Sequence, residues 1–158
     1  MPQLPDVPLP GLYGDAIMDH YRSPRHREPI LQPDVESHEY NPFCGDEVTL
    51  QIKLDDRGRV AAVSSVSQGC SIIQASASMM ADVMPGRSLE QLGQLSQTFR
   101  AMMRGNSPAS EALLQMGELP ALQVVRQYPV RIKCALLPWV ALEEGIEKVQ
   151  ARSELADS

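Results

Sequence analysis

Residues 48–67 read VTLQIKLDDRGRVAAVSSVS, and this stretch decides the fold. From Val48 to Leu54 apolar and polar residues alternate, which is typical of a strand with one buried face. The turn-forming run DDRG follows at 55–58, and residues 60–67 form a second strand rich in valine. A hairpin over residues 47–67 is therefore predicted, and residues 35–40 add a candidate third strand.

Helical patterns flank this hairpin on both sides. Residues 12–21 place apolar side chains three to four positions apart, which predicts a short amphipathic helix. After Gly69 the period changes again, and residues 72–83 predict a helix with small residues in its middle. Residues 88–127 predict helical pieces that are interrupted at 105–108, where the sequence reads GNSP.

The last predicted element is a helix over residues 130–149. Pro138 lies inside it, so we expect either a kink or a late start of this helix. Four prolines stand among the first ten residues, and they predict an extended or flexible leader over residues 1–11. A single domain over 12–150 and a polar tail over 151–158 complete the expected organisation.

The composition of the chain argues against several classes of protein. The chain has 158 residues and a formal net charge of −6, with 4% aromatic residues, so nonspecific nucleic-acid binding is disfavoured. The first residues lack the basic flank of a secretion signal, and no apolar run is long enough for a membrane span. We therefore expect a cytoplasmic protein. Arg22, Arg25 and Arg27 form a small positive patch, which is either a solvated helix end or a docking patch for a partner.

The three cysteines are the most informative residues. An odd count is unusual for a disulfide-stapled secreted protein, and clustered thiols in a reducing compartment indicate metal binding or catalysis. Cys44 and Asp46 would project to the same side of an extended segment. Cys70 follows a glycine at the predicted strand-to-helix junction, where the positive end of the helix dipole favours a thiolate.

Cys134 lies close behind Arg131 and Lys133, whose charges would also stabilise a thiolate. Three thiolates and the Asp46 carboxylate suit a four-coordinate zinc site, and the oxygen ligand is more exchangeable than a fourth sulfur. Cys70 follows Cys44 by 26 residues and precedes Cys134 by 64, unlike the paired spacing of zinc ribbons. The residues alone therefore leave a shared site and three buried, inert thiols as open alternatives.

Three motifs in the same order resemble those of the IscU/NifU-like iron–sulfur cluster assembly proteins: NPFCGD at 41–46, GCSIIQASASMM at 69–80 and RIKCALLPW at 131–139. Within this family the chain is most similar to the SufU branch. IscU-type scaffolds carry a histidine where this chain has Lys133, and the segment 88–115 resembles an insertion typical of SufU proteins.

The resemblance implies an α+β fold in which a small antiparallel three-stranded sheet packs with five to six helices. It also implies zinc held by Cys44, Asp46, Cys70 and Cys134. The implied activity is zinc-dependent sulfur transfer, in which Cys44 accepts persulfide sulfur from a SufS-type cysteine desulfurase and passes it towards a downstream iron–sulfur scaffold. Arg131 and Lys133 are candidates for electrostatic support of that step.

Two alternatives use the same residues. The first is a scaffold on which an iron–sulfur cluster is assembled by the thiolates. The second is a non-catalytic regulator with a structural zinc ion, against which the Asp46 ligand counts because closed structural sites use sulfur and nitrogen ligands.

Overall fold

The computed structural model describes residues 11–42 and 45–157. The helices are α1 (Gly11–Arg22), α2 (Ser71–Val83), α3 (Leu89–Met103), α4 (Ser110–Leu114) and α5 (Pro129–Asp157), with a 3₁₀ segment at Leu119–Gln127. The strands are β1 (Val35–Asn41), β2 (Asp46–Leu54) and β3 (Val60–Gln68). These elements confirm the predicted α+β class with three strands and, over the described residues, six helical segments.

The sheet is antiparallel throughout and has the strand order β1-β2-β3. Along β2 the side chains of Val48, Leu50 and Ile52 are fully buried, while the residues between them are half-buried. The predicted alternation therefore sets which face of the sheet meets the core. Between β2 and β3, the Asp55 carboxylate accepts hydrogen bonds from the backbone N–H groups of Arg57 and Arg59, which closes the predicted turn.

Helices α2 and α5 supply most of the cover for the sheet. Their contact is fixed by a buried hydrogen bond of 2.6 Å from the Ser76 hydroxyl to the Ala135 carbonyl. Another buried hydrogen bond of 2.6 Å joins β1 to α5, from the Ser37 hydroxyl to the Ala141 carbonyl. Trp139 stacks on Phe99 of α3 with ring centroids 4.6 Å apart, so the same region of α5 also anchors the helical insertion.

A second polar cluster, here called the His20 cluster, joins the buried residues His20 and Ser78 to Glu118, whose side chain is 51% exposed. The His20 side chain is fully buried, and its two ring nitrogens lie 2.7 Å from Ser78 Oγ and 3.1 Å from Glu118 Oε1. The backbone N–H of Arg25 donates to the same Ser78 oxygen at 2.9 Å. All of these groups are satisfied when the Ser78 hydroxyl donates to Nδ1 and the Nε2–H donates to Glu118. The cluster thereby ties α1 and the 3₁₀ segment to α2.

Some element boundaries differ from the sequence prediction. Helix α5 begins at Pro129, so a late start at Pro138 is wrong, and it continues through residues 151–157 of the predicted polar tail. Pro138 has no N–H, so it cannot donate the usual intrahelical bond to the carbonyl of Cys134. The predicted leader lies almost wholly outside the described residues. Over the residues described, no helix has both the length and the apolar character needed to cross a membrane.

Candidate metal centre

The candidate centre forms where three separate segments meet at one end of the sheet. Asp46 is the first residue of β2, and its neighbour Glu47 pairs with Gln68 at the end of β3. Cys70 directly precedes α2 as its N-cap residue, and Cys134 lies in the second turn of α5. The antiparallel register thus places the start of β2 beside the junction that carries Cys70.

Asp46, Cys70 and Cys134 form a compact group, here called the thiol–carboxylate cluster. One carboxylate oxygen and the two sulfur atoms all lie within 4.8 Å of one another. Asp46 is 2% exposed and Cys134 is 1% exposed, whereas Cys70 is half-buried, and both thiols are free. Small side-chain adjustments are enough for one metal ion to contact all three groups.

Gly69 sets the position of the Asp46 carboxylate. Its φ of +139° lies outside the range of ordinary L residues, and a Cβ atom built there would lie 2.1 Å from Asp46 Oδ1 and 2.8 Å from its Cγ. The carboxylate therefore occupies the space that a side chain at position 69 would need. From the sequence this glycine can be recognised only as a junction residue, because the collision depends on an aspartate 23 positions earlier.

The Asp46 carboxylate is only partly satisfied within the protein. The backbone N–H of Cys70 donates to Oδ1 at 3.4 Å, while the buried Oδ2 has no hydrogen-bond partner among the described residues. A buried carboxylate oxygen without a partner is costly unless a cation or a donor compensates it. A carboxylate oxygen in this state and the two free thiols beside it form a set of ligand atoms that fits zinc.

The pKa values of the two thiols are shifted in opposite directions. A hydrogen bond from Cys134 lowers the pKa of Cys70 to about 6, helped by the backbone N–H groups of Ile73 and Ile72 at the start of α2, although burial and Asp46 oppose this shift. The interaction with Cys70, burial and the neighbouring Asp46 raise the pKa of Cys134. Of the two thiols, Cys70 is therefore the one that loses its proton more readily.

The remaining predicted site residues lie in or beside this region. Cys44 falls outside the described residues; Gly45, which follows it, has a φ of +72° and leads directly into Asp46. Arg131 is half-buried and Lys133 is exposed, and both belong to the turn of α5 that precedes Cys134. The structure thus brings three of the four predicted ligands together.

Comparison with known proteins agrees with the sequence motifs. Residues 12–154 match the family model described as the NifU-like N terminal domain. The chain belongs to this family. A zinc-dependent sulfurtransferase SufU from Bacillus subtilis (strain 168) is 40% identical over 140 residues, which cover 89% of this chain and 92% of the relative.

Other proteins that are similar to this chain are named as scaffolds for iron–sulfur cluster assembly. The iron-sulfur cluster assembly scaffold protein IscU from Streptococcus pyogenes serotype M1 is 34% identical, covering 94% of this chain and 91% of the relative. A crystal structure of a putative iron-sulfur cluster assembly scaffold protein for the SUF system, from Fervidobacterium islandicum AW-1, superposes with a TM-score of 0.76 at 30% identity. It covers 84% of this chain and 94% of that chain. The predicted membership of the IscU/NifU-like family, in its SufU branch, is confirmed.

Proposed function

We propose that this protein is a zinc-dependent sulfurtransferase of iron–sulfur cluster assembly, which accepts persulfide sulfur on Cys44 from a SufS-type cysteine desulfurase. The observation that carries this proposal is the Asp46 carboxylate, which has a buried oxygen without a hydrogen bond and lies close to two free thiols. The 40% identity to a SufU sulfurtransferase supports the same reading.

Zinc would be held by Asp46, Cys70 and Cys134 together with Cys44. When bound, the ion supplies a positive charge that keeps the thiols ionised at neutral pH. The buried environment of Asp46 and Cys134 limits water access to these ligands. Gly69 and the Ser76–Ala135 hydrogen bond hold their supporting segments in place.

Cys44 is the proposed sulfur acceptor because it precedes Asp46 by only two residues, with Gly45 between them. Its thiolate attacks the terminal sulfur of the desulfurase persulfide, a new S–S bond forms to Cys44, and the S–S bond of the donor breaks. The desulfurase cysteine leaves as a thiolate, and the proton of the persulfide stays on the transferred sulfur. Cys44 then carries a persulfide, and a downstream scaffold is the proposed recipient of that sulfur.

A second candidate function is a scaffold for cluster assembly, favoured by the 34% identity to an IscU scaffold protein and by the same thiols. Lys133 counts against it, because an exposed ammonium group stands beside Cys134 where the scaffolds carry a histidine. Anaerobic reconstitution with iron and sulfide separates the two: a scaffold yields a stoichiometric, transferable cluster, whereas a zinc sulfurtransferase keeps its zinc.

The decisive experiment maps the sulfur after the protein is mixed with the desulfurase and cysteine. We expect wild-type protein to gain one sulfur atom on the peptide that contains Cys44, and Cys44→Ser to gain none and to lose its stimulation of desulfurase turnover. Metal content is measured on the purified protein, and circular dichroism checks that the variant is folded.

Two results would contradict the assignment. Sulfur found on Cys70 or Cys134 would move the acceptor to another thiol. A Cys44→Ser protein that retains zinc and stimulates the desulfurase like wild type would remove the acceptor role altogether.

A further inference from the structure

The two thiols of the thiol–carboxylate cluster lie close enough to react with each other. Cys70 and Cys134 are free, their Sγ atoms lie within 4.8 Å of one another, and Cys134 donates a hydrogen bond to Cys70. A disulfide requires a sulfur–sulfur distance of about 2 Å, so less than about 3 Å remains to be closed. Without a metal between them, the two sulfur atoms are neighbours that can bond directly.

The backbone holds this pair together while leaving one side chain free to turn. Cys70 precedes α2 in an extended conformation, with φ −70° and ψ 171°, so its χ1 angle escapes the restriction that a preceding helical turn imposes. Cys134 belongs to α5, which is held against α2 by the hydrogen bond from Ser76 to the neighbouring Ala135 carbonyl. Rotation of the Cys70 side chain can therefore bring the sulfur atoms together without moving either helix.

The two thiols differ in their access to solvent. Cys70 is half-buried, whereas Cys134 is 1% exposed and lies in the hydrophobic core. A dissolved oxidant therefore reaches Cys70 first, and the buried thiol reacts next with its neighbour. An accessible attacking cysteine beside a buried resolving cysteine is the arrangement that favours a disulfide over further oxidation.

We propose that Cys70 and Cys134 form a reversible disulfide in the zinc-free protein, which blocks the metal site until the disulfide is reduced. The oxidant is a small disulfide, RSSR, such as oxidised glutathione. The Cys70 thiolate attacks one sulfur of RSSR, a mixed disulfide forms, and RS⁻ leaves. Cys134 passes its proton to this RS⁻, its sulfur attacks Cys70 Sγ, and the second RS⁻ leaves. The protein loses two electrons and RSSR gains them.

Zinc and the disulfide exclude each other because both use the same two sulfur atoms. The metal binds thiolates, and a disulfide sulfur no longer carries that charge. A thiolate that is held by zinc is in turn not free to attack RSSR. The protection by zinc rests on the proposed function, whereas formation of the disulfide rests only on the geometry of the pair. The redox state of the pair thereby controls whether the protein can be loaded with metal.

The test exposes zinc-free and zinc-loaded protein to oxidised glutathione and maps the crosslinks by mass spectrometry. Trypsin places the three cysteines on separate peptides, residues 28–53, 60–87 and 134–148. Wild type is compared with Cys44→Ser, which keeps the pair, and with Cys70→Ser, which removes its accessible member. Circular dichroism of the reduced proteins checks folding, and zinc uptake by wild type is measured before and after treatment with dithiothreitol.

We expect the zinc-free wild type and Cys44→Ser to join peptides 60–87 and 134–148, and Cys70→Ser to form no such crosslink. Oxidised wild type should take up zinc only after reduction. With free zinc at about 100 times its dissociation constant, the disulfide should form about 100-fold more slowly, because only the metal-free fraction reacts. Cys44→Ser still decides if Cys70→Ser does not fold.

A crosslink found only on peptide 28–53 would overturn the pairing and assign the oxidation to Cys44. Glutathione that stays on Cys70 without a bond to Cys134 would overturn it as well. Equal rates with and without zinc would overturn the control of metal loading. The first two results leave the proposed function intact, whereas a protein that forms the disulfide and binds no zinc when reduced would support the pair and overturn the proposed function.

Discussion

Two polar clusters lie along α2, and they are built in opposite ways. At its start, the thiol–carboxylate cluster leaves Asp46 Oδ2 without a hydrogen bond and puts two free thiols side by side. In its second half, the His20 cluster gives both ring nitrogens of His20 a partner and uses the Ser78 oxygen twice. Both clusters join segments that are distant in sequence, so topology alone does not distinguish them.

The difference lies in hydrogen-bond satisfaction. A closed network of buried polar groups stabilises one arrangement and has no need of a further ligand. An open one carries a penalty that only an external group can offset. The difference is consistent with a structural role for His20 and Ser78, and it supports the proposed metal-binding role of the cluster around Asp46.

The largest effect should follow from Gly69→Ala at the open cluster. The added Cβ collides with the Asp46 carboxylate, and the residue must hold a φ of +139°, so we expect zinc affinity to fall about 10- to 100-fold and stability to fall by about 1–3 kcal/mol. A competition titration with a chelator and thermal unfolding measure the two effects.

Gly93→Ala is the matched control for that variant, because Gly93 lies within α3 and a Cβ there meets nothing within 4 Å. This control should keep full zinc affinity and gain up to about 1 kcal/mol from its higher helix propensity. Equal zinc affinity in the two variants would show that Gly69 does not position Asp46.

Ser78→Ala tests the closed cluster. Removing the hydroxyl leaves His20 Nδ1 and the Arg25 N–H without their partner in a buried site, so we expect a loss of about 1–3 kcal/mol in the free energy of unfolding. Zinc affinity should stay at the wild-type value. Denaturant titration measures the loss, with the exposed Ser107→Ala as the control. A large drop in zinc affinity in Ser78→Ala would mean that the two clusters are coupled.

The smallest effect concerns acid stability at the edge of the His20 cluster. The 2.6 Å hydrogen bond from Arg25, together with its charge, lowers the pKa of Asp19 below its ordinary value of 3.8. The ionised carboxylate therefore stabilises the folded state at higher pH, and this contribution is lost as the pH falls through the lowered pKa.

Asp19→Asn should thus be slightly less stable than wild type above about pH 4, and the difference should vanish in stronger acid. Thermal unfolding from pH 7 down to pH 2 in paired samples checks this, with Asp56→Asn in the hairpin turn as the control. A difference that grows towards low pH would contradict the sign of the effect.

The sheet could be predicted from sequence because its signal is local. The alternation from Val48 to Leu54 and the DDRG turn place the hairpin without any tertiary information. The helix after Gly69 was predicted from the same kind of local pattern. The approach of Asp46, Cys70 and Cys134 was predicted through motifs that recur in a family.

Other features depend on contacts between distant residues. The need for glycine at position 69 arises only when Asp46 folds against it, and Glu118 reaches His20 across 98 residues. The continuous α5 was also hard to predict, since Pro138 would normally interrupt a helix; the Ser76 and Ser37 hydrogen bonds to α5 carbonyls and the stacking of Trp139 hold this one together. Tertiary packing decided these points.

The dispersal of the ligands along the chain has a consequence for how each new molecule matures. In zinc fingers the ligands are close in sequence, and the metal can gather them while the chain is still unfolded. Here the proposed ligands Asp46, Cys70 and Cys134 are separated by 24 and 64 residues, and closing such loops in an unfolded chain is entropically unfavourable, so we expect them to meet only after the sheet and both flanking helices have assembled. We therefore expect folding to precede metal loading, so that newly made protein passes through a folded, metal-free stage in which the rate of zinc delivery governs the onset of activity.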